Sequence, residues 1–472
     1  MSTVIRRAIA ASIPAVLVAG SSLAASAAPS QIQVGHAGPH PFVGARPFGV
    51  RPAASSTLYA GGATLPGIAY TGNIALGSGG ASMGMPGSVF GYLATLPNGA
   101  PVSYCETGSG AGKKVLAGPA GTVSNPCANA ASGATGPIGF NPGTTALPVA
   151  YPNFAGSDSP ISQGDYSMFL MNAGNRVEPT EIPSIVGSVG VYINDPDLNG
   201  VQPRVTTDQL CAVITSANPN FSQLGLKPRP LSLVYRSDGS GTTFAFSNHL
   251  SATNTLHCRQ SNRITASQQF VTVPASAGTV VQTAPNGSIG VKGNKAVAQT
   301  VAATTGSLGY VEAANAVAQG LVGPKELALV DGKDAIKNLP QAANAIPATI
   351  AVDSTVLTGV SGPAQVVKLT GVPKAGCIQL LNPLAYATPT AGYPIVAVTN
   401  LDFNEAGNNA NLPGSVTSLR TLVNVLASPS SFGSGKITTV DPASATTGTK
   451  GYSELSPAFT SVLNNTAATC IN

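Results

Sequence analysis

Short β-rich runs alternate with Gly/Ser turns and helix-like stretches along most of this 472-residue chain, beginning near Thr57. Residues 232–235 form one such run, a Gly/Ser turn follows, and residues 242–250 have the pattern of a helix. Residues 185–194 are another β-rich run. Strand and helix signals that alternate in this way are typical of α/β proteins. The sequence therefore predicts an α/β fold.

Three later segments support the same fold class. Residues 306–320 predict a turn, a short strand and an Ala-rich helix, and residues 394–399 predict a buried strand. Residues 416–427 predict a helix. Ser415 stands immediately before that helix, where a Ser side chain commonly accepts a first-turn N–H, so we expect it to be the N-cap.

The N-terminus has the pattern of a secretory signal peptide. Arg6 and Arg7 precede a short apolar run at 8–19, and Ala25-Ser26-Ala27 offers a small-residue cleavage site. The alternative is a membrane anchor, but the run is too short for a span and contains a proline. We expect residues 1–27 to be removed near Ala27 and the mature protein to be periplasmic or secreted.

Residues 28–56 are rich in Pro and Gly without clear periodicity, and they predict a flexible arm. His36 and His40 lie in this arm. Since no Cys or acidic residue accompanies them, we interpret both as solvated side chains and not as metal ligands. No later segment offers about 18 continuous apolar residues, so we expect no membrane anchor in the mature chain.

The charge of the chain limits its partners. Charged residues make up only 9% of the sequence, and the net charge is +5. A protein that binds nucleic acid presents a dense Lys/Arg surface, which this composition does not supply. We therefore expect no nucleic-acid partner. A mild positive balance suits a small anion without identifying one.

Six cysteines in an exported chain predict disulfides. Pairing in sequence order closes the shortest loops, and it gives Cys105–Cys127, Cys211–Cys258 and Cys377–Cys470. Other pairings stay open, since spacing alone does not choose among them. No CxxC spacing is present, so the sequence gives no support for a zinc site. We expect neither a metal nor a cofactor.

Four turns rich in Gly, Ser and Thr are candidates for an anion site. Their sequences are AGGATLP at 60–66, TGSGAGK at 107–113, AGSDS at 155–159 and RSDGSGTT at 236–243. Each has the chemistry of a helix N-terminus that meets an oxyanion, because Gly permits close approach and Ser and Thr add hydroxyl donors. Arg236 adds a planar bidentate donor. Ordinary helix caps use the same residues, and for a single turn this alternative stays open.

The sequence partly matches two enzyme motifs, a nucleotide P-loop and a hydrolase nucleophile pattern. The second turn lacks the Ser or Thr that a nucleotide P-loop places after its lysine, since Lys114 follows Lys113. Ser82 lies in a G-x-S-x-G pattern, and Asp238 with His249 or His257 would complete a hydrolase triad. No clear strand precedes Ser82, which argues against that interpretation.

At the four turns the chain resembles the phosphate-binding proteins of bacterial ABC importers and their secreted relatives, the DING proteins. The matching blocks are GGATLP at 61–66, GSGAGK at 108–113, AGSDS at 155–159, YRSDGSGTTFAFSNHLS at 235–251 and GVKGNKAVAQTVAATTGSLGYVEAA at 290–314. The resemblance covers residues 58–312 and resumes at 392–396. The long fourth and fifth blocks make it specific.

The resemblance implies an α/β fold of the type II periplasmic-binding-protein class, with two α/β domains joined by a two-crossing hinge. Domain I would comprise residues 57–189 plus 396–472, and domain II residues 190–395. Phosphate would lie between the two domains.

The family's ligand positions carry over onto eight residues of this chain. The implied phosphate ligands are Thr64, Leu65, Ser109, Asp158, Arg236, Ser240, Gly241 and Thr242. Asp158 would be the carboxylate that meets the phosphate, and Asp238 the acid that pairs with Arg236. Leu65 stands where an aromatic residue is often found, but only its N–H is needed.

The resemblance implies extracytoplasmic binding of inorganic phosphate for uptake or scavenging, by a monomer with an ABC importer permease as one candidate partner. The extra segments at 28–56, 70–100 and 315–392 and the number of cysteines favour the secreted branch. Some members of that branch are described as phosphatases, so a secreted alkaline phosphatase is the alternative. A structural or adhesive surface protein is a third class that the Gly- and Thr-rich composition permits.

Overall fold

The computed structural model describes 56–118, 149–260, 264–270, 284–320, 326–346, 350–352, 356–358, 365–367, 376–432, 435–440, 451–455, 463, 466 and 469–472. The predicted signal peptide, the segment of the predicted arm that contains His36 and His40, and Cys127 lie outside these residues. Residues 51–472 belong to one compact unit.

The structure contains sixteen strands among the described residues. They are β1 Leu58–Gly62, β2 Ala81–Met83, β3 Val102–Glu106, β4 Phe154–Ser157, β5 Pro179–Asn194, β6 Arg204–Val205, β7 Ser232–Arg236, β8 Ile289–Val291, β9 Ser307–Glu312, β10 Leu329–Val330, β11 Ile350–Val352, β12 Val356–Thr358, β13 Gln365–Val367, β14 Gln379–Leu381, β15 Val396–Asn404 and β16 Tyr452–Glu454.

Fourteen α-helices accompany the strands in the same part of the chain. They are α1 Gly67–Thr71, α2 Val89–Leu93, α3 Ser109–Ala117, α4 Gln163–Asn172, α5 Thr207–Thr215, α6 Gly241–Ala252, α7 Leu256–Gln260, α8 Gly293–Ala303, α9 Ala313–Ala318, α10 Leu339–Ala345, α11 Pro383–Ala387, α12 Asn408–Asn411, α13 Ser415–Ala427 and α14 Pro429–Phe432. Among the described residues no helix is long and apolar enough to cross a membrane.

The largest sheet runs in the order β2-β3-β1-β4-β15-β5-β9-β7-β8, and β16 pairs with β5. β1 is parallel to both β3 and β4, and β7 is parallel to both β8 and β9. Parallel neighbours end at the same edge of a sheet, so the turns that follow β1, β3 and β4 emerge side by side. Ligand sites of open α/β sheets lie outside such carboxyl ends.

The long strand β5 connects the two parallel groups of strands. Its residues 179–188 pair with β15, and its residues 189–194 pair with β9. The change of partner therefore falls between Ser188 and Val189. This point lies one residue before the domain limit expected at 189/190, and β15 begins at Val396, where the other crossing is expected. The two-domain division itself stays a prediction.

The segments that the sequence analysis predicts to be strands or helices have that structure. The expected strands correspond to β5, β7, β9 and β15, and the expected helices to α6, α9 and α13. The expected N-cap Ser415 is wrong, because Gly414 occupies that position in a left-handed conformation with φ of 82°. Ser415 is already helical, and its hydroxyl donates to the Asn408 carbonyl at 2.7 Å. A Gly-initiated helix start leaves Ser415 one position inside the helix.

Two of the three predicted disulfides are confirmed. Cys211 is bonded to Cys258, and Cys377 is bonded to Cys470. The pairing of Cys105 with Cys127 stays a prediction, because Cys127 is not among the described residues. The Cys377–Cys470 bond lies beside β5, since Glu181 N donates to the Cys377 carbonyl and Thr180 donates to the Cys470 carbonyl.

A pair of carboxyl groups is buried between the two long strands. Glu181 on β5 is the direct cross-strand neighbour of Asp402 on β15, and both are at most 1% exposed. Burial, reinforced for Glu181 by the charge of Asp402, raises the pKa of both groups, that of Asp402 to about 6. Both Asp402 oxygens lack a hydrogen-bond donor among the described residues. We infer that a proton shared between the two carboxyls supplies one.

We expect this pair to make the protein less stable as pH rises. An acid with a raised pKa in the folded state contributes fully below its unfolded pKa, near ~4, and loses that contribution as pH rises through the folded pKa. For Asp402 the loss therefore spans roughly pH 4 to 6. Glu181→Gln supplies a permanent N–H donor, and the free energy of unfolding should then fall less with pH.

Urea unfolding at about pH 4.5 and about pH 8 measures this slope, because the interval brackets the Asp402 transition. Glu326→Gln, on the protein surface, is the matched control and should keep the wild-type slope. A Glu181→Gln slope equal to that of the wild type would show that the pair holds no shared proton.

Candidate functional site

Three of the four Gly/Ser/Thr turns connect a strand to a helix. The first joins β1 to α1, the second joins β3 to α3, and the fourth joins β7 to α6. The second and fourth turns also touch, since Gly110 N donates to the Gly239 carbonyl at 3.0 Å. The turns are therefore brought together in space although they are far apart in sequence.

The third turn corrects one expectation, because it does not begin a helix. Ala155–Ser157 belongs to β4, and the next helix, α4, begins only at Gln163 with Ser162 as its cap. Asp158 thus caps no helix, and the ordinary explanation for an Asp at this position is excluded. Its carboxylate instead accepts from the Thr399 hydroxyl at 2.7 Å and from the Ser109 hydroxyl at 3.4 Å.

Burial sets the protonation of Asp158, which is 1% exposed. It raises the pKa of this carboxyl to about 7, although the Thr399 and Ser109 hydroxyls and the Arg236 guanidinium act in the opposite direction. Asp158 N also donates to Ser109 Oγ at 3.1 Å, which fixes the two side chains relative to each other. Asp158 is therefore a buried carboxyl that changes its charge near neutral pH.

Arg236 is a buried guanidinium oriented by a carboxylate. Its Nε donates to Asp238 Oδ1 at 2.7 Å, and its Nη2 donates to Asp238 Oδ2. Although burial acts in the opposite direction, the guanidinium holds the pKa of Asp238 below its usual value, so both groups are charged. The remaining nitrogen, Nη1, donates to Thr64 Oγ1 at 3.1 Å and to Thr242 Oγ1 at 3.3 Å.

Thr64 has a hydroxyl proton that these contacts leave available. Its Oγ1 accepts from Arg236 Nη1 and also from Asn294 Nδ2, both at 3.1 Å. Asn294 Oδ1 in turn accepts from the Thr242 hydroxyl at 3.3 Å and from Glu312 N at 3.1 Å. Because two donors occupy the Thr64 oxygen, its own proton is directed elsewhere, as a ligand donor requires.

The N-terminus of α6 packs directly on Asp158 and Ser109. A Cβ atom on Gly241 would lie 2.3 Å from the Cβ of Asp158 and 2.6 Å from the Oγ of Ser109. Only glycine fits this contact without displacement. Ser240 caps the helix by accepting from Thr243 N at 3.1 Å. Leu65, beside Thr64, is buried, and its carbonyl accepts from the Tyr452 hydroxyl at 2.7 Å.

The structure thus brings the eight implied ligand residues and Asp238 into one buried region. Sequence reasoning missed the residues that hold them in place: Thr399, Asn294 and Tyr310, whose hydroxyl accepts from Arg236 N at 3.1 Å. Asn294 and Tyr310 lie within the fifth matching block, which could have indicated them. Thr399 lies in a strand and carries no local signal.

The hydrolase triad is not assembled. Ser82 belongs to β2 and donates to the Met83 carbonyl at 3.1 Å. His249 contacts Thr207 Oγ1 at 2.9 Å and the Ala387 carbonyl at 2.7 Å, and His257 pairs with Asp208. With Asp238 engaged by Arg236, these side chains do not form a nucleophile–base relay.

Comparison with known proteins identifies the family. The model of the PBP superfamily domain matches residues 90–365, more than half of the chain. The chain belongs to the PBP superfamily. The expected α/β fold of the type II periplasmic-binding class is confirmed, as is the resemblance to phosphate-binding proteins and their DING relatives.

Curated relatives of this PBP-superfamily chain carry two kinds of name. Alkaline phosphatase L of Pseudomonas aeruginosa is 29% identical over 355 residues, which are 74% of this chain and 80% of the relative. The phosphate-binding protein PstS of Xylella fastidiosa is 32% identical over 192 residues, which are 38% of this chain and 45% of the relative.

Solved structures of phosphate-binding proteins share the fold of this chain. The high-affinity periplasmic phosphate-binding protein PfluDING, bound with phosphate, has a TM-score of 0.58 at 21% identity and covers 87% of this chain and 93% of its own. The phosphate-binding protein from Stenotrophomonas maltophilia has a TM-score of 0.55 at 19% identity, and the match covers 89% of this chain and 97% of that protein.

Proposed function

We propose that this protein binds inorganic phosphate in the buried region around Arg236 and Asp158. The observation that carries the proposal is the arrangement of donors about one acceptor. The Arg236 guanidinium, the Thr64 hydroxyl and the N-terminus of α6 supply donors. Asp158 supplies a carboxylate that can accept a hydrogen bond from a protonated phosphate oxygen. A donor-rich, water-excluded region with one acceptor matches a partly protonated oxyanion.

The eight residues take distinct roles in this proposal. Arg236 neutralises the anion, and the hydroxyls of Thr64 and Ser240 donate to it. The hydroxyls of Ser109 and Thr242, which donate to Asp158 and Asn294 in this structure, turn their protons to the anion on binding. Backbone N–H groups of Thr64, Leu65, Gly241 and Thr242 donate as well. Asp238 holds the guanidinium in position without touching the ligand. The relatives named as phosphate-binding proteins support the choice of anion.

The proposal extends to where the protein works. We infer an extracytoplasmic protein, released after removal of residues 1–27, that serves uptake or scavenging as a monomer. An ABC importer permease is the partner if the role is uptake. The relatives named PstS and the periplasmic PfluDING support this location.

We expect isothermal calorimetry at about pH 8, where Asp158 is ionised, to show one phosphate bound per chain, with no displacement by excess sulfate. Phosphate retains a proton at neutral pH for Asp158 to accept, whereas sulfate retains none. Stripping endogenous phosphate before the titration is the necessary control. Absence of binding to any oxyanion by folded protein would contradict the proposal and favour a structural surface role.

A phosphomonoesterase is the second candidate, and the name of the relative alkaline phosphatase L favours it. Turnover would require a nucleophile or an activated water beside the phosphate, and Ser109 is an implied ligand whose hydroxyl donates to the titrating carboxyl of Asp158 at 3.4 Å. An assay on a chromogenic phosphomonoester with wild type and Ser109→Ala separates the candidates. Activity that disappears in a folded Ser109→Ala protein would establish the enzyme.

A further inference from the structure

Glu106 is an acidic side chain in this region that the proposed function does not use. It is the last residue of β3, three positions before Ser109, and it is 2% exposed. Its Oε1 has no hydrogen-bond partner among the described residues. It also lies just outside the GSGAGK block, so the resemblance assigns it no role. A buried carboxyl without a donor is costly in its ionised form.

Glu106 lies beside the first turn of α1, next to Thr64 and Leu65. A Cβ atom on Gly67 would lie 1.8 Å from Glu106 Oε1, so the carboxyl presses against the backbone of that turn. The backbone of Glu106 is fixed by bonds to Gly79 and Gly80. The packing of β3 against α1 therefore holds the carboxyl against the start of α1, directly after the turn that contains Thr64 and Leu65.

The charged and titratable groups that interact electrostatically with Glu106 come from four elements and from the turn after β4. They are Arg236 on β7, Lys295 on α8, Asp158 after β4, Tyr104 on β3 itself and Tyr452 on β16. The Lys295 ammonium donates to the Ala75 carbonyl at 3.0 Å and forms no ion pair with Glu106 in the described chain. Arg236 is already paired with Asp238.

Burial raises the pKa of Glu106 to about 8, although Arg236 and Lys295 oppose the shift. The group is therefore mainly neutral at pH 7 and becomes an anion under moderately alkaline conditions. Its ionisation would add a further negative charge to a region where Arg236 already interacts with Asp238, Asp158 and the proposed anion. That repulsion is strong in a region from which water is excluded.

We propose that Glu106 couples phosphate binding to a proton: the complex retains a neutral Glu106 carboxyl, and its ionisation weakens binding. This inference rests on the proposed function and adds a regulation of the same site. Phosphate binding above the Glu106 transition must then be accompanied by uptake of one proton from solution. No bond other than the carboxyl O–H is made or broken.

The test is calorimetric titration of phosphate at about pH 7.5 and about pH 9.5, values that bracket the Glu106 transition. Two buffers of different ionisation enthalpy report the protons taken up. Inorganic phosphate has lost its second proton, and Asp158 is ionised, throughout the upper part of this range. We expect wild type to take up nearly one proton per phosphate at the higher pH, with Kd rising about tenfold per pH unit.

Glu106→Gln keeps the shape and removes the titration. We expect this variant to bind phosphate at about pH 7.5 within roughly threefold of wild type and to show no proton uptake at about pH 9.5. Lys295→Met removes a cation that favours the ionised carboxyl, so the loss of affinity should begin at higher pH. If Glu106→Gln does not fold, Lys295→Met tests whether ionisation of Glu106 weakens phosphate binding.

The outcomes separate the two proposals. Wild type that binds phosphate without proton uptake at the higher pH, or a Glu106→Gln protein that keeps the wild-type uptake, overturns the role of Glu106 and leaves the proposed function standing. Folded wild type that binds no phosphate at either pH contradicts the proposed function itself.

Discussion

Arg236→Ala should abolish most phosphate binding, raising Kd by at least a hundredfold. Arg236 is 1% exposed, and its guanidinium donates simultaneously to Asp238, Thr64 and Thr242. Removing it leaves a buried anion without its main counter-charge, and breaking such a pair costs roughly 3–5 kcal/mol. Calorimetric titration of phosphate measures the loss.

Two further variants make the Arg236 result interpretable. Arg204→Ala removes an exposed arginine on β6 and should bind phosphate normally. Arg236→Lys keeps the charge but not the fork that matches Asp238, so its affinity should fall between wild type and Arg236→Ala. Thermal unfolding checks that Asp238, left without its partner, has not unfolded the protein. Binding by Arg236→Ala within about fivefold of wild type, or about 1 kcal/mol, would place the site elsewhere.

Asp158→Asn should remove most of the preference for phosphate over sulfate. In the ionised form Asp158 has only acceptors, so it can bond a P–O–H group but meets an unprotonated sulfate oxygen with repulsion. Sites that depend on such a ligand proton discriminate by about 10⁴–10⁵. An asparagine can turn its N–H₂ toward either anion. Competition titrations of phosphate against sulfate in wild type and variant give the ratio.

The Asp158 mechanism also predicts a pH dependence in the wild type. Because burial raises the pKa of this carboxyl to about 7, acidification below that value adds a proton that can be donated to sulfate. The preference of the wild type for phosphate over sulfate should therefore decrease as pH falls below the pKa of Asp158 and stay high above it. Asp197→Asn, at a partly exposed carboxylate, is the matched control. If Asp158→Asn keeps the wild-type preference for phosphate over sulfate, Asp158 plays no part in that discrimination.

Local chemistry made much of the site predictable. The turn at 236–243 has an arginine, an aspartate and a run of Ser, Gly and Thr in the order that an anion-binding helix start requires, and the structure places α6 there. The turn at 60–66 likewise places the Thr64 hydroxyl where it accepts a hydrogen bond from Arg236 Nη1. In such turns the backbone conformation and the donor set come from the same few residues, so spacing alone is informative.

Contacts between distant elements were not predictable in this way. Thr399 bonds Asp158 across 241 positions of sequence, and it does so only because β15 lies beside β4. The third turn shows the converse error, since its helix-cap composition stands at the end of a strand. Glu106 stands beside a glycine-rich turn, and no feature of the surrounding sequence indicates that its side chain is buried. Its burial depends on how β3 packs against α1, which the sequence does not state.

The partner change within β5 has a consequence for building chimeric proteins from relatives. Fifteen of its positions, 179–193, are buried, and the pairing passes from β15 to β9 between Ser188 and Val189. A recombination junction between the two groups of strands would therefore cut through a hydrogen-bonded, solvent-free strand and not through a loop. Exchanging one group while keeping the other requires donor sequences whose register matches on both sides of that junction.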